Sequence, residues 1–435
     1  MLRAHFILLS LLLTGALAGE GFAQAGDAPD SAEQRADSPF AADMDGGGAT
    51  APDSVTPPTS SDSNSVDMGF DIPGIVALRL KGKGLAIGAA ASEAYGWARS
   101  GGAESSGAAS ILQPYMALYD AGQRTKFMLQ YSPTIDLYSD QQWDGRILHR
   151  GILNFGHLLT QRWAWYFTAR ATEGPEALGD IENLAIVEPL GYQLFALPTR
   201  TLLAVKASTS LTFRRKPRQE FAIRANDYYS EIQQGPRNDA VSVRVQMTNG
   251  FGSNSDWFSY VQAHRYLSQD CTRVGMGNGF GVGIGPGLRF VAEGGPEIGV
   301  GNCVIRVSAT FRGYLFYRFS PTTLFVAGAS RELTEPYLMQ SRWFDDYSAR
   351  VQQRVSRSTL FGVGGSYVRS ADLEGATYPN FHGFMFFSRL RWRVTSSLSL
   401  VGSYQIFDRE AAAPGFPDRR SWGIFSFIWH PGDRS

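Results

Sequence analysis

The stretch from Leu203 to Arg214, LAVKASTSLTFR, alternates between two series of side chains. The odd-numbered positions are Leu203, Val205, Ala207, Thr209, Leu211 and Phe213, and the even-numbered positions are Ala204, Lys206, Ser208, Ser210, Thr212 and Arg214. Successive side chains of a β-strand point to opposite faces, so a period of two predicts a strand with one apolar and one polar face. The same period returns from Val241 to Thr248 and from Ile305 to Arg312.

Segments of this kind follow one another from about residue 85 to the end of the chain, joined alternately by short turns and by longer connections. The pattern predicts about sixteen strands, with fourteen to eighteen as the range. Their spans are 85–97, 111–120, 124–138, 147–159, 162–173, 200–214, 218–232, 239–250, 256–270, 303–319, 323–334, 346–355, 358–370, 381–394, 397–409 and 420–430. A soluble propeller or a set of sandwiches would instead show blade or domain repeats, and the sequence has no repeat of fixed period.

The composition favours a membrane barrel over a soluble enzyme. The chain has 435 residues, of which 43% are hydrophobic and only 18% charged, with 40 basic and 40 acidic residues. Soluble domains usually carry about a quarter charged residues, and a balanced charge does not point to nucleic acid. Beyond the N-terminus no apolar run is long enough for a transmembrane helix, and a membrane protein without such helices must be a closed barrel.

The N-terminal residues predict export from the cytoplasm. A short basic start, an apolar run from Phe6 to Ala18 and the small-residue site Ala23-Gln24-Ala25 are typical of a signal peptide at residues 1–25. Residues 26–83 begin with a stretch rich in Asp, Ser, Pro and Gly that cannot bury a core, so they predict a disordered acidic periplasmic segment. Residues 84–435 then form the predicted outer-membrane β-barrel.

The chain resembles Gram-negative outer-membrane β-barrels of the porin-like type, especially the loosely defined porin families. The resemblance covers about residues 85–430 and includes the hairpin from Arg389 to Leu400 and the aromatic last strand from Ser421 to Trp429. It implies an all-β fold, a transmembrane antiparallel β-barrel in the cell outer membrane. It also implies contacts with outer-membrane lipids and lipopolysaccharide, the barrel-assembly machinery and small solutes, no nucleic acid, and a monomer or a trimer.

The two cysteines, Cys271 and Cys303, favour a disulfide over two free thiols because the protein is predicted to be exported. They end one predicted strand and begin the next, so they lie side by side at the base of the connection between them. A bridge across a loop of this length would contribute about 3–4 kcal/mol in the chain-entropy model.

The connection between the cysteines is rich in glycine, at Gly275, Gly277, Gly279, Gly281, Gly283, Gly285 and Gly287. Such repeats occur in phosphate-binding loops, but the strand-to-helix context that those loops require is not predicted here. We therefore expect an outer loop, either folded into the pore as a constriction or displayed at the surface.

The sequence predicts a channel for the passive passage of small hydrophilic solutes. The alternatives are the outer-membrane component of polysaccharide export and, as a third choice, an outer-membrane barrel enzyme. We expect no enzyme activity, catalytic residue, cofactor or metal, because no nucleophile signature is present and the histidines lack metal-ligand spacing. These histidines are His5, His149, His157, His264, His382 and His430, of which His264 and His382 lie near predicted outer strand ends.

Basic residues on the polar faces of the predicted strands are the candidates to line the pore. They are Arg170, Lys206, Arg224, Arg244, Arg306, Arg312, Arg350, Arg354, Arg389 and Arg391, with Arg393 beside them. On the lipid face each would cost roughly 2–4 kcal/mol near mid-membrane, which favours the lumen. An excess of positive charge would favour anionic solutes. Alternatively, these residues pair with inward-folded loop carboxylates such as Asp180, Glu182, Glu293 or Asp345, or lie at the periplasmic rim.

Overall fold

The fold is seen in a computed structural model that describes most of the chain from residue 70 onward. The described residues are 70–72, 75–78, 82–100, 103–122, 124–138, 146–175, 201–216, 218–232, 237–251, 254–268, 270–285, 287–334, 342–372, 381–395, 397–410 and 419–429. The predicted signal peptide and residues 26–69 lie outside them. No helix among the described residues could cross a membrane by its length and apolar character.

The described strands form one closed antiparallel barrel and one separate pair. The separate pair is β1 (Phe70–Ile72) with β2 (Ile75–Leu78), which lies within the segment predicted to be disordered. The barrel segments are β3 (Gly82–Ser100), β4 (Ala103–Ala121), β5 (Thr125–Tyr131), β6 (Thr134–Tyr138), β7 (Arg146–Leu158), β8 (Trp163–Pro175), β9 (Thr201–Lys216), β10 (Gln219–Ile232), β11 (Arg237–Phe251), β12 (Ser255–Tyr266), β13 (Cys271–Ile284), β14 (Leu288–Gly301), β15 (Val307–Ser320), β16 (Thr323–Thr334), β17 (Arg342–Arg354), β18 (Thr359–Asp372), β19 (Phe381–Arg393), β20 (Leu398–Glu410) and β21 (Arg419–Trp429).

The barrel has 18 strands because β5 and β6 are two parts of one strand. Both parts pair with β4 on one side and with β7 on the other. Between them Pro133 has no backbone N–H to donate, so the ladder is interrupted there, while the Ser132 N–H still donates to the Arg150 carbonyl at 2.9 Å. The barrel closes where β21 pairs with β3.

The prediction of a long Gly-rich connection at 272–302 is wrong. This stretch forms β13 and β14, which pair with each other and with their neighbours β12 and β15. The two strands raise the count from the expected sixteen to 18, the upper end of the predicted range. The connection predicted at 98–110 is also largely strand, because β3 and β4 pair up to Ser100 and Ala103.

One end of the barrel has only short connections, and we name it the short-turn end. Its connections are 122–124, 159–162, 217–218, 252–254, 285–287, 321–322, 355–358 and 394–397. The sequence pattern predicts seven of these short turns, at 121–123, 159–161, 215–217, 252–254, 320–322, 355–357 and 394–396, and it does not predict the eighth, at 285–287. The opposite end, the loop end, carries the longer connections 139–145, 176–200, 335–341, 373–380 and 411–418. This asymmetry is typical of outer-membrane barrels.

One face of each strand carries large apolar side chains that remain exposed. Leu85 and Ile87 on β3 are each 50% exposed, and Trp257 and Val261 on β12 are 43% and 56% exposed. Aromatic side chains border this apolar surface near both ends of the barrel. At the short-turn end these are Trp163, Trp257, Tyr317, Trp392 and Trp429, and towards the loop end Tyr347, Tyr367 and Phe384. Such an apolar band between aromatic girdles is what a bilayer requires of the outer face.

Candidate functional site: the lumenal wall

The inner face of the barrel is identified by contacts that skip strands. Arg244 on β11 and Glu293 on β14 form an ion pair at 2.7 Å, although β12 and β13 lie between them. Neighbouring strands are about 4.8 Å apart, so β11 and β14 are roughly 14 Å apart along the sheet. Side chains can bridge that distance only across the concave side of the closed sheet, which is therefore the lumen.

Five strands, β11 to β15, carry a cluster of paired charges on this inner face, which we name the charged wall. Glu293 accepts from Arg244 at 2.7 Å and lies 3.5 Å from Arg312. The guanidinium of Arg244 also lies over the ring of Tyr260, 3.8 Å from its centroid, which adds a cation–π contact. On the same face Arg289 pairs with Asp256 at 3.3 Å. The Glu293 carboxylate therefore pairs with two guanidinium groups from different strands, Arg244 on β11 and Arg312 on β15.

The most enclosed ion pair of the charged wall joins Arg273 on β13 to Glu297 on β14. The Nε of Arg273 lies 3.3 Å from a carboxylate oxygen of Glu297, and the side chains of Arg273 and Glu297 are 1% and 7% exposed. Arg273 also donates to the carbonyl oxygen of Ile305 at 3.1 Å and to the hydroxyl of Ser308. Gln262 donates to the second oxygen of Glu297 at 2.7 Å. The charges are thus held by hydrogen bonds on every side, as burial requires.

The glycines of β13 make room for this packing. Gly277 lies beneath the Tyr260 ring and Gly279 beneath the Phe258 ring, both from the neighbouring strand β12. A Cβ on Gly279 would also lie 2.7 Å from the carbonyl oxygen of Ala292. The Gly-x-Gly pattern is therefore the inner face of a strand, covered by its neighbour's aromatic rings.

The predicted disulfide is confirmed. Cys271 and Cys303 are bonded, with their Cα atoms 4.8 Å apart, and no free cysteine is present among the described residues. The bridge lies at the loop end and encloses the β13–β14 hairpin, where a structureless connection was expected. It therefore fastens the open end of the two strands that support the charged wall.

A second part of the inner face, on β3, β4, β5, β7, β20 and β21, is apolar, and we name it the apolar wall. Its residues are Ala86, Ala90, Tyr115, Ala117, Met128, Ile152, Val401 and Ile428, with Tyr119 packed against them. Tyr115 lies over Gly88 and Tyr119 over Gly84, the same arrangement of ring and glycine as in the charged wall. Ala117 and Met128 are 0% exposed.

All but one of the predicted pore-lining residues occupy inner-face positions on strands, and the exception, Arg306, lies in a connection. Across the ladders Arg170 lies opposite Lys206 and Arg224 opposite Arg244. Arg312, Arg350, Arg354, Arg389 and Arg391 occupy inner-face positions by the same alternation, as does Arg393. Arg306 precedes β15 and lies in the connection at the loop end, where its carbonyl accepts from the Gly299 N–H at 2.8 Å.

The acidic partners of these residues differ from those expected. Glu293 does pair with two of the predicted arginines, but it belongs to the barrel wall and not to a loop. Asp345 lies on the outer face, where both of its oxygens accept from Arg331, at 2.5 and 2.7 Å. Asp180 and Glu182 lie outside the described residues. Asp256 and Glu297 also face the lumen, although the sequence pattern does not predict either as a lumenal acid.

The two histidines considered for an active site are not brought together. His264 is on the inner face of β12, opposite Arg273, while His382 is on the outer face of β19, opposite Arg369. His149 and His157 bond to Tyr131 and Thr125 on the outer face, each at 2.7 Å. Within the described part of the chain no cluster of His, Cys, Asp or Glu could hold a metal ion. His5 and His430 lie outside it.

The closed antiparallel barrel, its apolar outer face and its charged inner face define a transmembrane antiparallel β-barrel. In lipid every backbone polar group must be paired, and closure of the sheet achieves this without helices. Contact of the charged inner face with lipid would be strongly destabilising, so the apolar face must be the one that faces the bilayer.

Three solved structures match this chain at very low sequence identity. The Pseudomonas aeruginosa protein OccK2 (OpdF) is 10% identical over 80% of this chain and 99% of its own, with a TM-score of 0.47. OccAB4 of Acinetobacter baumannii is 9% identical over 80% and 98%, with a TM-score of 0.46. The ferric enterobactin receptor PfeA of Pseudomonas aeruginosa is 7% identical over 80% and 82%, with a TM-score of 0.43. No family model and no curated protein matches the chain.

Proposed function

We propose that this barrel is a channel for the passive passage of small hydrophilic solutes and that it prefers anions. The observation that carries the proposal is the charge of the inner face. The basic side chains described there are Lys126, Arg150, Arg170, Lys206, Arg214, Arg224, Arg244, Arg273, Arg289, Arg312, Arg318, Arg350, Arg354, Arg389, Arg391 and Arg393, and the acidic ones are Glu220, Asp256, Glu293, Glu297 and Asp346.

Four of these five acids form ion pairs with basic residues of the same wall, at Glu220, Asp256, Glu293 and Glu297. Whatever pairs form, the described basic side chains of the inner face outnumber the acidic ones, so its net charge is positive. A lumen lined by one sign of charge raises the local concentration of ions of the opposite sign, so anions should enter more readily than cations. A barrel of this strand number also leaves an aqueous channel when nothing fills it.

Reversal potentials in planar bilayers under a salt gradient test this proposal. We expect the sign of an anion-preferring pore for the full chain. Replacing both Arg170 and Lys206, which are exposed on the inner face, by Gln should lower that preference, while Arg331→Gln on the outer face should leave it unchanged. A cation preference of the full chain would contradict the proposal. Nothing in the described residues favours polysaccharide export or an enzymatic reaction, and neither is proposed.

A further inference from the structure

Two neighbouring basic residues of the inner face differ from the charged wall because they have no partner. Arg170 on β8 and Lys206 on β9 are both exposed in the lumen. Within the part of the chain that the structure describes, neither side chain takes part in a hydrogen bond or an ion pair. In the charged wall, by contrast, Arg244 and Arg312 share the carboxylate of Glu293. The charges of Arg170 and Lys206 are therefore available to a solute in the lumen.

The strand register places these two cations side by side. Arg170 lies directly opposite Lys206 in the ladder between β8 and β9, and the Cβ atoms of such a pair are about 4.5–5.5 Å apart. Like charges in this position repel each other and destabilise the sheet. A third cation, Arg150 on the same face of β7, lies opposite Thr172 and so on the diagonal from Arg170. A bound anion would relieve this repulsion.

The surrounding strands offer hydroxyl groups to these cations and no carboxylate. Among the described residues, the inner-face positions of β7, β8 and β9 carry no Asp or Glu. On β10 the inner-face Glu220 lies opposite Arg214 and pairs with it, whereas the residue opposite Lys206 is Tyr228. The next inner-face positions of β8 and β9 towards the short-turn end carry two hydroxyl residues that lie opposite each other, Thr168 and Ser208.

We propose that Arg170 and Lys206 form a binding site in the lumen for a phosphate group that carries two negative charges. The inference rests on the proposed anion preference and gives it a location and a class of solute. A doubly charged group neutralises both cations, whereas a singly charged one leaves a cation uncompensated. The planar guanidinium binds phosphate through two parallel hydrogen bonds, and the ammonium adds a point charge. The hydroxyls of Thr168 and Ser208 can donate to a remaining phosphate oxygen.

The site lies near the end of the barrel at which external solutes would enter. Arg170 is five residues from the end of β8 at Pro175, and Lys206 is five residues from the start of β9 at Thr201. Both are therefore about 16 Å along the strand from the loop end. The longer connections of outer-membrane barrels are extracellular, so a phosphate group would meet this site early in its passage.

Block of the chloride current tests the site. Single-channel conductance of the full chain in KCl is recorded at mildly alkaline pH while inorganic phosphate is added at constant ionic strength. We expect the conductance to fall and then level off as phosphate occupies the site, and we expect acetate, which is singly charged, to have no saturable effect. Arg170→Gln and Lys206→Gln should each raise the half-blocking concentration of phosphate by about tenfold, because each removes charge-assisted hydrogen bonds. Glycerol phosphate, measured in the same way, shows whether free phosphate or a phosphate ester binds more tightly.

Arg393→Gln is the matched control for the charge of the lumen. Arg393 is also exposed on the inner face, but it lies on β19 at the short-turn end. Its substitution removes the same charge from the lumen and leaves Arg170 and Lys206 in place, so the half-blocking concentration should not change. An equal rise in this variant would mean that phosphate responds to the summed charge of the lumen, and it would overturn a local site.

Isothermal titration calorimetry of the full chain in detergent separates this inference from the proposed function. Saturable phosphate binding that is lost when Arg170 and Lys206 are both replaced by Gln would support the site even if the barrel does not conduct. An anion-preferring channel that shows neither block nor binding by phosphate would overturn the site and leave the proposed function standing. Equal affinity for acetate and phosphate would overturn the assignment to a doubly charged group.

Discussion

The charged wall and the apolar wall share one packing arrangement but are held together by different interactions. In both, aromatic rings of one strand lie over glycines of the next: Tyr260 over Gly277 in the charged wall and Tyr115 over Gly88 in the apolar wall. The charged wall is held by ion pairs and hydrogen bonds, such as those that Arg273 and Glu297 form with neighbouring strands. The apolar wall is held by packing, and the Tyr115 hydroxyl is buried there without a hydrogen bond. Loss of a polar partner should therefore cost more in the charged wall than in the apolar wall.

The largest effect is expected from breaking the charged wall at its most buried pair. Glu297→Gln would leave Arg273 uncompensated, and we expect a loss of about 3–5 kcal/mol in the free energy of unfolding. Urea unfolding in vesicles, followed by tryptophan fluorescence, measures it. The matched control is Glu220→Gln, whose partner Arg214 is 58% exposed and 3.6 Å away, so that the loss should stay below about 1 kcal/mol. Similar losses in the two variants would show that burial of the Arg273–Glu297 pair does not set the cost of breaking it.

The next effect concerns the disulfide that fastens the charged wall. Replacing both Cys271 and Cys303 by Ser should lower the free energy of unfolding by about 2–4 kcal/mol. A reductant should lower the stability of the unaltered protein by a comparable amount and leave the double variant unchanged. If the reductant has no effect on the unaltered protein in the same unfolding measurement, the bridge does not stabilise the barrel.

A smaller loss is expected where a ring covers a glycine. Gly279→Ala places a methyl group against Phe258 and the Ala292 carbonyl, and overpacking of this kind costs about 1–3 kcal/mol. Gly402→Ala is the control, because nothing lies within 4 Å of its added Cβ. Thermal unfolding, read from heat-modified migration on gels, should separate the two. A destabilised Gly402→Ala protein would mean that backbone strain, and not the covering ring, sets the cost.

The smallest effect addresses the apolar wall directly. Tyr115→Phe removes a hydroxyl that is buried without a hydrogen bond and keeps the ring over Gly88, so the free energy of unfolding should change by less than about 1 kcal/mol. Urea unfolding measures it. A loss as large as that of Glu297→Gln would contradict the contrast between the two walls.

Most of the barrel could be predicted because a bilayer imposes alternation on every strand that crosses it. Leu203 to Arg214 shows this period with large side chains on one face, and it is found as β9. In β13 the outward Val274, Met276 and Phe280 also alternate, but the inward positions are mostly glycine. Glycine is depleted in strands and common in loops, so composition hid the period. The alternation of apolar residues with glycine was the signal that could have found this strand.

The site was predictable only in part for the same reason. Basic residues at polar-face positions such as Arg244 and Arg312 could be assigned to the lumen from their own strands. The partner Glu293 was expected only as an inward-folded loop residue, whereas it belongs to the strand β14. Pairs that skip strands, such as Arg244 with Glu293, depend on which strands intervene. The apolar wall depends likewise on closure of the last strand onto the first, which no local pattern records.

The position of the disulfide has a consequence for how the barrel assembles. The inner face of β13 is mostly glycine, so beyond Arg273 few side chains fix its alignment with β14. The bond between Cys271 and Cys303 holds the loop end of this hairpin in the alignment that places Cys271 opposite Gly301. Formed in the oxidising periplasm, it would select one alignment of this hairpin before the strands enter the bilayer. The disulfide would then fix the alignment of these strands during assembly and also stabilise the folded barrel.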